Sequence, residues 1–347
     1  MKQQIDTIPF FFIIGRPRSG TYLLRSLLEG HPGISIPTEC PLILNLFPKY
    51  GKFGFWDQNK IKDLCDDLFL HKELMNWKID KDRLLNDWLG MEGEARYTDF
   101  IRVLYLSHQS AFDKKEIKLL GDKNPIYSTH IDEVFNIFPN AKYIHLTRDY
   151  RDQLVSIGNV DFESNIPSLI TYRWKHANAR MLELRKQFPE RILFVRYEDL
   201  VAKPEFWLKK MCVFLEIEYS SLMLERFNKK DEVLTDFKDK EVEKYHQSLQ
   251  QPLSTSKVLV WKDKLQNSKI RIADFIAGDL AEEYGYSRKY KNRSFLLFIK
   301  SAPGVVYGKA FDGFRLLILR LPFRFYIRIH YSLQILAPVY RFLRKLF

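Results

Sequence analysis

The stretch Phe10-Phe-Phe-Ile-Ile-Gly15-Arg-Pro-Arg-Ser-Gly20-Thr-Tyr-Leu-Leu24 decides how this chain is read. Its first five residues are continuously apolar, as a strand buried on both faces must be. Gly15 stops the run. A short loop carrying Arg16, Arg18, Ser19, Gly20 and Thr21 follows, and a helical pattern takes over from Tyr22. A strand, a glycine-bounded loop and a helix aim backbone N–H groups and the positive end of a helix dipole at one point, which suits a bound anion.

The loop resembles the phosphate-binding pattern Gly-x4-Gly-Lys-Ser/Thr, with one departure. Thr21 follows Gly20 where that pattern has Lys, and the cation sits earlier, at Arg18. A P-loop kinase needs the Lys for the β/γ-phosphates and a Ser/Thr for Mg²⁺. The loop is therefore read as a cradle for a different anion, with a kinase kept as the competing class.

Outward from the loop, the spacing predicts a helix over Thr21–Glu29, closed by Gly30-His31-Pro32. Further strands are predicted at Ile34–Ile36, in Lys118-Leu-Leu-Gly-Asp-Lys-Asn-Pro125, where the strand delivers Lys123 to a loop, at Ala141–Thr147 and at Ile192–Val195. Helices are predicted at Tyr150–Ile157, Ser168–Phe188 and from Tyr197 to about Leu215. Residues 41–116 read as a mostly helical insert on the acceptor side. The alternation implies an α/β fold with a P-loop-like central parallel sheet flanked by helices. In such folds ligands bind at the carboxyl ends of the strands, and Arg18, Lys123 and Arg148 all fall there. Residues 228–256 are polar and are read as a loop that covers the site. The expected division is 1–290 for the main domain and 291–347 for a basic, aromatic-rich helical tail.

Composition narrows the classes. The chain has 347 residues and a formal net charge of +12, but the charge is unevenly placed. From Lys291 to Phe347 eleven lysines and arginines face Asp312 alone, a net +10, which leaves +2 on the other 290 residues. A nucleic-acid-binding reading of the main domain loses its support. Three scattered cysteines argue against a disulfide framework and a zinc site, and fit a reducing cytoplasm. Met1-Lys-Gln-Gln-Ile-Asp-Thr-Ile8 runs straight into the first strand, so no cleavable leader is expected.

A second constellation, Leu146-Thr-Arg148-Asp-Tyr-Arg-Asp-Gln-Leu-Val-Ser156, puts an arginine at a strand end and a serine eight residues on. With the first loop this makes two anion sites on neighbouring strands. Together these motifs resemble the sulfotransferases that use 3′-phosphoadenosine-5′-phosphosulfate (PAPS). The resemblance covers roughly residues 8–290. Pro17-Arg-Ser-Gly-Thr21 matches the family's 5′-phosphosulfate loop, and Arg148 with Ser156 matches its 3′-phosphate pair. Asp122-Lys-Asn-Pro125, Arg196-Tyr-Glu-Asp-Leu200, Ser254-Thr-Ser-Lys257 and Trp261-Lys262 match in order. The chain is closer to the tyrosylprotein and bacterial branch than to the cytosolic phenol and steroid enzymes. Those enzymes have Lys at the Arg18 position and a catalytic His where this chain has Lys123-Asn124-Pro125. His31-Pro32 followed by Glu39 also has the tyrosylprotein spacing, whereas Tyr22 replaces a second Thr common there.

The resemblance implies PAPS as co-substrate, no metal, and transfer of a sulfuryl group to an acceptor hydroxyl. Glu39 is then the candidate base, with Arg18 and Lys123 stabilising charge, and each such contact is worth about 3 kcal/mol of barrier. Nucleotide contacts are implied for Arg16, Arg18, Ser19, Gly20, Thr21, Tyr22, Arg148, Ser156, Tyr197, Thr255, Ser256 and Lys257. Plainer readings stand beside these. Glu39 can be a surface or N-cap carboxylate, Lys123 an exposed residue before Pro125, and Tyr197 a core tyrosine. Trp56, Trp77 and Trp88 are better read as core than as an acceptor pocket, and His31, His130 and His145 as structural.

The acceptor is not legible. A lipophilic alcohol such as a sterol or lipid leads, with a glycan or a peptide tyrosine as alternatives and an inactive membrane-bound scaffold as a further class. In the tail, Arg315, Arg320, Arg324 and Arg328 recur near one helical face among leucines and aromatics. No uncharged apolar run reaches the ~20 residues of a spanning helix. Residues 294–347 fit a helix lying on a membrane surface, on the inner face for a cytoplasmic protein, or a hairpin packed back on the core. Oligomeric state is not legible.

Overall fold

The computed structural model describes residues 8–160, 163–228, 253–318 and 321–335. Along the chain, β1 (Phe10–Ile14) feeds α1 (Thr21–Glu29) and β2 (Ile34–Ser35). A mostly helical insert follows: α2 (Leu42–Tyr50), β3 (Phe55–Trp56), α3 (Gln58–Leu68), α4 (Lys81–Leu89), β4 (Gly93–Glu94) and α5 (Tyr97–Leu106). Then come β5 (Leu119–Lys123), α6 (Ile131–Ile137), β6 (Lys142–Thr147), α7 (Tyr150–Gly158) and α8 (Pro167–Gln187). The chain continues through β7 (Ile192–Arg196), α9 (Tyr197–Ala202), α10 (Pro204–Leu215), α11 (Leu222–Asn228) and α12 (Asn267–Ala277). Two further helices, α13 (Phe295–Ile318) and α14 (Phe323–Ile335), end the described chain.

Five strands make one sheet in the order β2-β5-β1-β6-β7, every pairing parallel. β1 lies at its centre, so side chains on both of its faces must be apolar. Phe10, Phe12 and Ile14 face the cluster shared with the insert, and Phe11 and Ile13 face the cluster under α1. That alternation is the period of a strand. The order reverses at β1, between β5 and β6, which opens a crevice at the carboxyl ends of those strands. The helix predicted at Thr21–Glu29 has those bounds, and the Gly30 N–H caps it by donating to the Ser26 and Leu28 carbonyls.

The insert is helical apart from the small antiparallel pair β3–β4. Trp56, Trp77 and Trp88 are fully buried there. Their indole N–H groups donate to the carbonyls of Ala95, Thr38 and Phe100 at 3.0, 2.9 and 3.2 Å. They are core residues, and the Trp77 bond fixes the backbone next to Glu39. The segment read as a site-covering loop lies mostly outside the described residues.

The tail packs on the body. Phe323, Tyr326 and Ile327 of α14 are buried in the main core cluster. Of the four arginines read near one helical face, Arg320 lies outside the described residues, and Pro322 separates Arg315 of α13 from Arg324 and Arg328 of α14. Proline cannot continue a helix through its own ring, so the register of the repeat is broken. Arg324 is drawn instead to Asp67 of α3. That buried carboxylate accepts from Lys49 Nζ, Tyr50 OH and Arg324 Nε at 2.8, 2.8 and 2.7 Å. Burial alone raises its pKa, but the three donors outweigh burial and hold it below the ordinary value. Its contribution to stability is therefore full at neutral pH and fades as the pH falls through the lowered value. Asp67→Ala should lower unfolding stability by about 2 kcal/mol at pH 7, since it orphans a buried tyrosine hydroxyl and frees α14. Denaturant melts at pH 7 and pH 3 test this, with the difference from wild type shrinking at the lower pH.

Candidate functional site

The loop after β1 is a tight turn built to hold a cation in an unusual backbone state. The Ser19 N–H donates to the Arg16 carbonyl at 3.1 Å. Arg18 adopts φ 68°, in the left-handed region that few non-glycine residues occupy. Such strain persists where the surroundings over-determine it, and it concentrates at ligand sites. Gly20 has φ 92° and opens α1 as its N-cap, and a Cβ there would overlap the Tyr197 ring. The first turn of α1 thus presents its N–H groups at the carboxyl end of β1.

The predicted cations converge on this loop. Arg148 follows β6 directly and is 6% exposed. It donates to the Arg18 carbonyl at 3.1 Å and to the Lys257 carbonyl at 2.7 Å. Its guanidinium lies 4.7 Å from the Tyr197 ring centroid, while its buried Nε has no hydrogen-bond partner. Ser156 of α7 accepts from Arg18 Nε at 3.0 Å. Burial first, and then the charge of Arg148, lowers the Arg18 pKa. Burial, then Arg18 and Arg148, lowers that of Lys257. An anion beside Arg18 and Lys257 would offset that loss of charge, and the buried Arg148 Nε–H suits a phosphate oxygen. Tyr197 is buried, with its ring against Gly20 and beneath the Arg148 guanidinium. Thr255 and Ser256 are exposed. Their segment is tied down by Asp152, which accepts from the Leu259 and Trp261 N–H groups at 2.7 and 2.9 Å.

One strand over, β5 places Lys123 opposite Ile13 of β1. Lys123 is the last residue of that strand rather than part of a loop, and its side chain is buried. Its ammonium donates to the Glu39 carboxylate and sits 3.3 Å from the centroid of the Tyr22 ring. Burial lowers its pKa to about 8, with the Glu39 charge opposing the fall. Glu39 itself is partly exposed. Beneath them Asp122 is wholly buried, accepts from the Tyr127 hydroxyl, and is pushed by burial up to about 6. The pair offers a carboxylate open to solvent beside an ammonium that is easily deprotonated.

Several participants were not visible in the sequence. Gln153 of α7 donates to the Pro17 carbonyl and to Ser19 Oγ at 2.7 and 3.3 Å, bracing the loop from below. Arg16, expected on the anion, has Glu163 at 3.2 Å, and Glu163 also holds Arg173 at 2.9 Å. Trp174 donates to the Arg148 carbonyl at 3.0 Å. Tyr22 lies against Lys123, a role that a missing threonine does not announce. Only Gln153 left a trace, as an amide among the apolar residues of a short helix. Two of the histidines are held within the fold. His145 is buried on Asn178, with burial lowering its pKa to about 4, and His31 closes the turn after α1. Among the described residues no group of three or more His, Cys, Asp or Glu side chains is placed to hold a metal ion.

Comparison with known proteins places this geometry. A family model described as "Sulfotransferase family" matches residues 9–221. A protein-tyrosine sulfotransferase of Drosophila melanogaster is 27% identical over 224 residues, covering 62% of this chain and 40% of that protein. Protein-tyrosine sulfotransferase A of Caenorhabditis elegans is 26% identical over 285 residues, covering 78% and 66%. The chain thus spans 40–66% of the length of these relatives. Among solved structures, the sulfotransferase domain of the olefin synthase of Synechococcus PCC 7002 is 25% identical with a TM-score of 0.55, covering 80% of this chain and 95% of that domain.

The cradle generates one sharp expectation. Gly20→Ala forces a side chain into the Tyr197 ring at a backbone angle that disfavours it. It should weaken binding of an anion at the loop, with inorganic phosphate as the probe, by roughly tenfold or more, a cost of one strained residue. Titration calorimetry measures this.

Proposed function

The chain belongs to the sulfotransferase family, and from that premise we propose that it moves a sulfuryl group from PAPS to an acceptor hydroxyl, leaving a sulfate ester and adenosine 3′,5′-bisphosphate. The observation that carries the proposal is the Glu39–Lys123 pair, set on the strand beside the loop on which Arg18, Arg148 and Lys257 converge. The donor supplies an electrophilic sulfur on a phosphate leaving group. The acceptor oxygen forms the new S–O bond as the bond to the bridging oxygen breaks, and that oxygen leaves with the electron pair.

The residues divide the work. Glu39 takes the acceptor proton through its open carboxylate. Lys123 and Arg18 neutralise charge on the departing oxygen, Arg18 as a cation that never deprotonates. Ser156 and Arg148 hold the 3′-phosphate, with the Lys257 segment drawn in by Arg148, and the first turn of α1 receives the 5′-phosphosulfate. Tyr22 keeps the Lys123 ammonium in place by its ring face. For the acceptor, the names of the relatives support a tyrosyl phenol better than a sterol, a lipid or a glycan.

Incubation with labelled PAPS, alongside peptide, sterol and glycan acceptors, tests donor and acceptor together. Label in the peptide fraction is expected. Label in the sterol fraction alone overturns the phenol reading, and preferential binding of ATP over adenosine 3′,5′-bisphosphate overturns the donor. Glu39→Gln should lower kcat by roughly a hundredfold or more while leaving nucleotide affinity nearly unchanged, as loss of a general base does.

The Lys123 ammonium gives a signed pH dependence. Its charge is present below about 8 and lost above. Hence kcat/KM should fall on the alkaline side of about pH 8, since that ratio reports the free enzyme. Lys123→Arg should abolish the alkaline fall, although at a lower maximum, because a guanidinium stays charged.

A further inference from the structure

Helix α13 has two faces of opposite character. Its inward face is small: Ser301, Gly304 and Gly308 are buried, and a Cβ on either glycine would overlap Ser168 or Tyr172 of α8. The two helices therefore approach closely, and α13 is held as a fixed part of the fold. Farther along, Tyr172 donates to Asp312 at 3.5 Å, and the Arg173 guanidinium lies 5.2 Å from the Phe311 ring centroid.

The outward face is apolar, and no described residue covers it. Phe295, Leu296, Ile299, Val306, Phe314 and Leu317 are 51–77% exposed. At the helical repeat these six fall within an arc of about 120°. By the same spacing Lys300 and Lys309, both exposed, fall on opposite flanks of that arc, and Arg293 precedes the first turn. The sole acid between Lys291 and Phe347 is Asp312, which is turned inward to Tyr172. A monomer surface seldom leaves so continuous an apolar strip without a partner.

We propose that this face of α13 seats the protein on a lipid surface bearing anionic headgroups. The charge pattern chooses the occupant. Lysines flanking an apolar strip extend along it and reach headgroup phosphates while the strip enters the acyl boundary. A second copy docked on the same face would set these cations against one another. Crossing the bilayer is a separate matter, and no described helix is long and apolar enough for it. The seat is linked to the anion loop by side-chain contacts, from Phe311 to Arg173, to Glu163 and to Arg16. Membrane docking thereby fixes the orientation of the loop after β1 relative to the bilayer. This inference stands apart from the transfer reaction and from the nature of the acceptor.

Flotation of the full chain with vesicles tests it. The probes are phosphatidylcholine alone and phosphatidylcholine mixed with phosphatidylglycerol. The wild-type protein should float with the mixed vesicles and far less with the neutral ones. Ile299→Glu with Leu317→Glu should reduce the bound fraction about tenfold, because charge in the strip opposes insertion. Lys300→Glu with Lys309→Glu should erase the preference for the anionic lipid. The milder pair Val306→Ser and Phe314→Ser serves if the glutamates unfold the chain, and an unchanged thermal melt marks intact protein. Adenosine 3′,5′-bisphosphate titration of each variant separates loss of the nucleotide site from loss of the membrane seat. Wild-type protein that stays unbound with both vesicles overturns the proposal. So does a lipid-free dimer that dissociates when the strip is charged.

Discussion

The Arg148 guanidinium ties together parts of the chain that are far apart in sequence. It leaves the end of β6, donates to the Arg18 carbonyl in the loop after β1, and donates again to the Lys257 carbonyl in the late segment. Tyr197 supports it from the start of α9 and Trp174 holds its backbone from α8. The Arg148 side chain bonds carbonyls rather than carboxylates. Arg151, by contrast, is satisfied by Asp149 at 2.7 Å and is spent on the fold.

The second constraint is burial at the end of β5. Lys123 is charged in a place that water scarcely reaches, and its ammonium is kept there by the Glu39 carboxylate and the Tyr22 ring. The cost of desolvation makes its proton easy to lose and its charge strongly felt by any nearby oxygen. Glu39 depends on the insert for its position. The Trp77 indole, planted in the core of the insert, grips the Thr38 carbonyl. The insert therefore positions Glu39 while the sheet positions Lys123, so the two members of the pair are carried by different layers.

The tail shows how one basic segment divides between two uses. In α14 the buried Phe323, Tyr326 and Ile327 and the Arg324–Asp67 contact anchor the helix to the insert. In α13 the small face is given to α8 and the large apolar face is left outside. Pro322, legible in the sequence as a kink, separates the two helices.

What the sequence by itself determined was the local grammar. Five consecutive apolar residues set β1 at the centre of a parallel sheet, Gly15 and Gly20 bounded an anion loop, and Gly30 ended α1. These features follow from backbone sterics and from burial on two faces, which act over a few residues. The convergence of Arg18 and Arg148 was legible too, since residues that follow parallel strands must meet at one edge. Tertiary structure alone decided the rest. Lys123 proved buried, Arg16 was matched by Glu163, Gln153 braced the loop, and Tyr22 turned to the Lys123 ammonium. Each depends on which side chain reaches across from another element. A chain read one residue at a time holds no record of those distances, because they are fixed only when the layers pack.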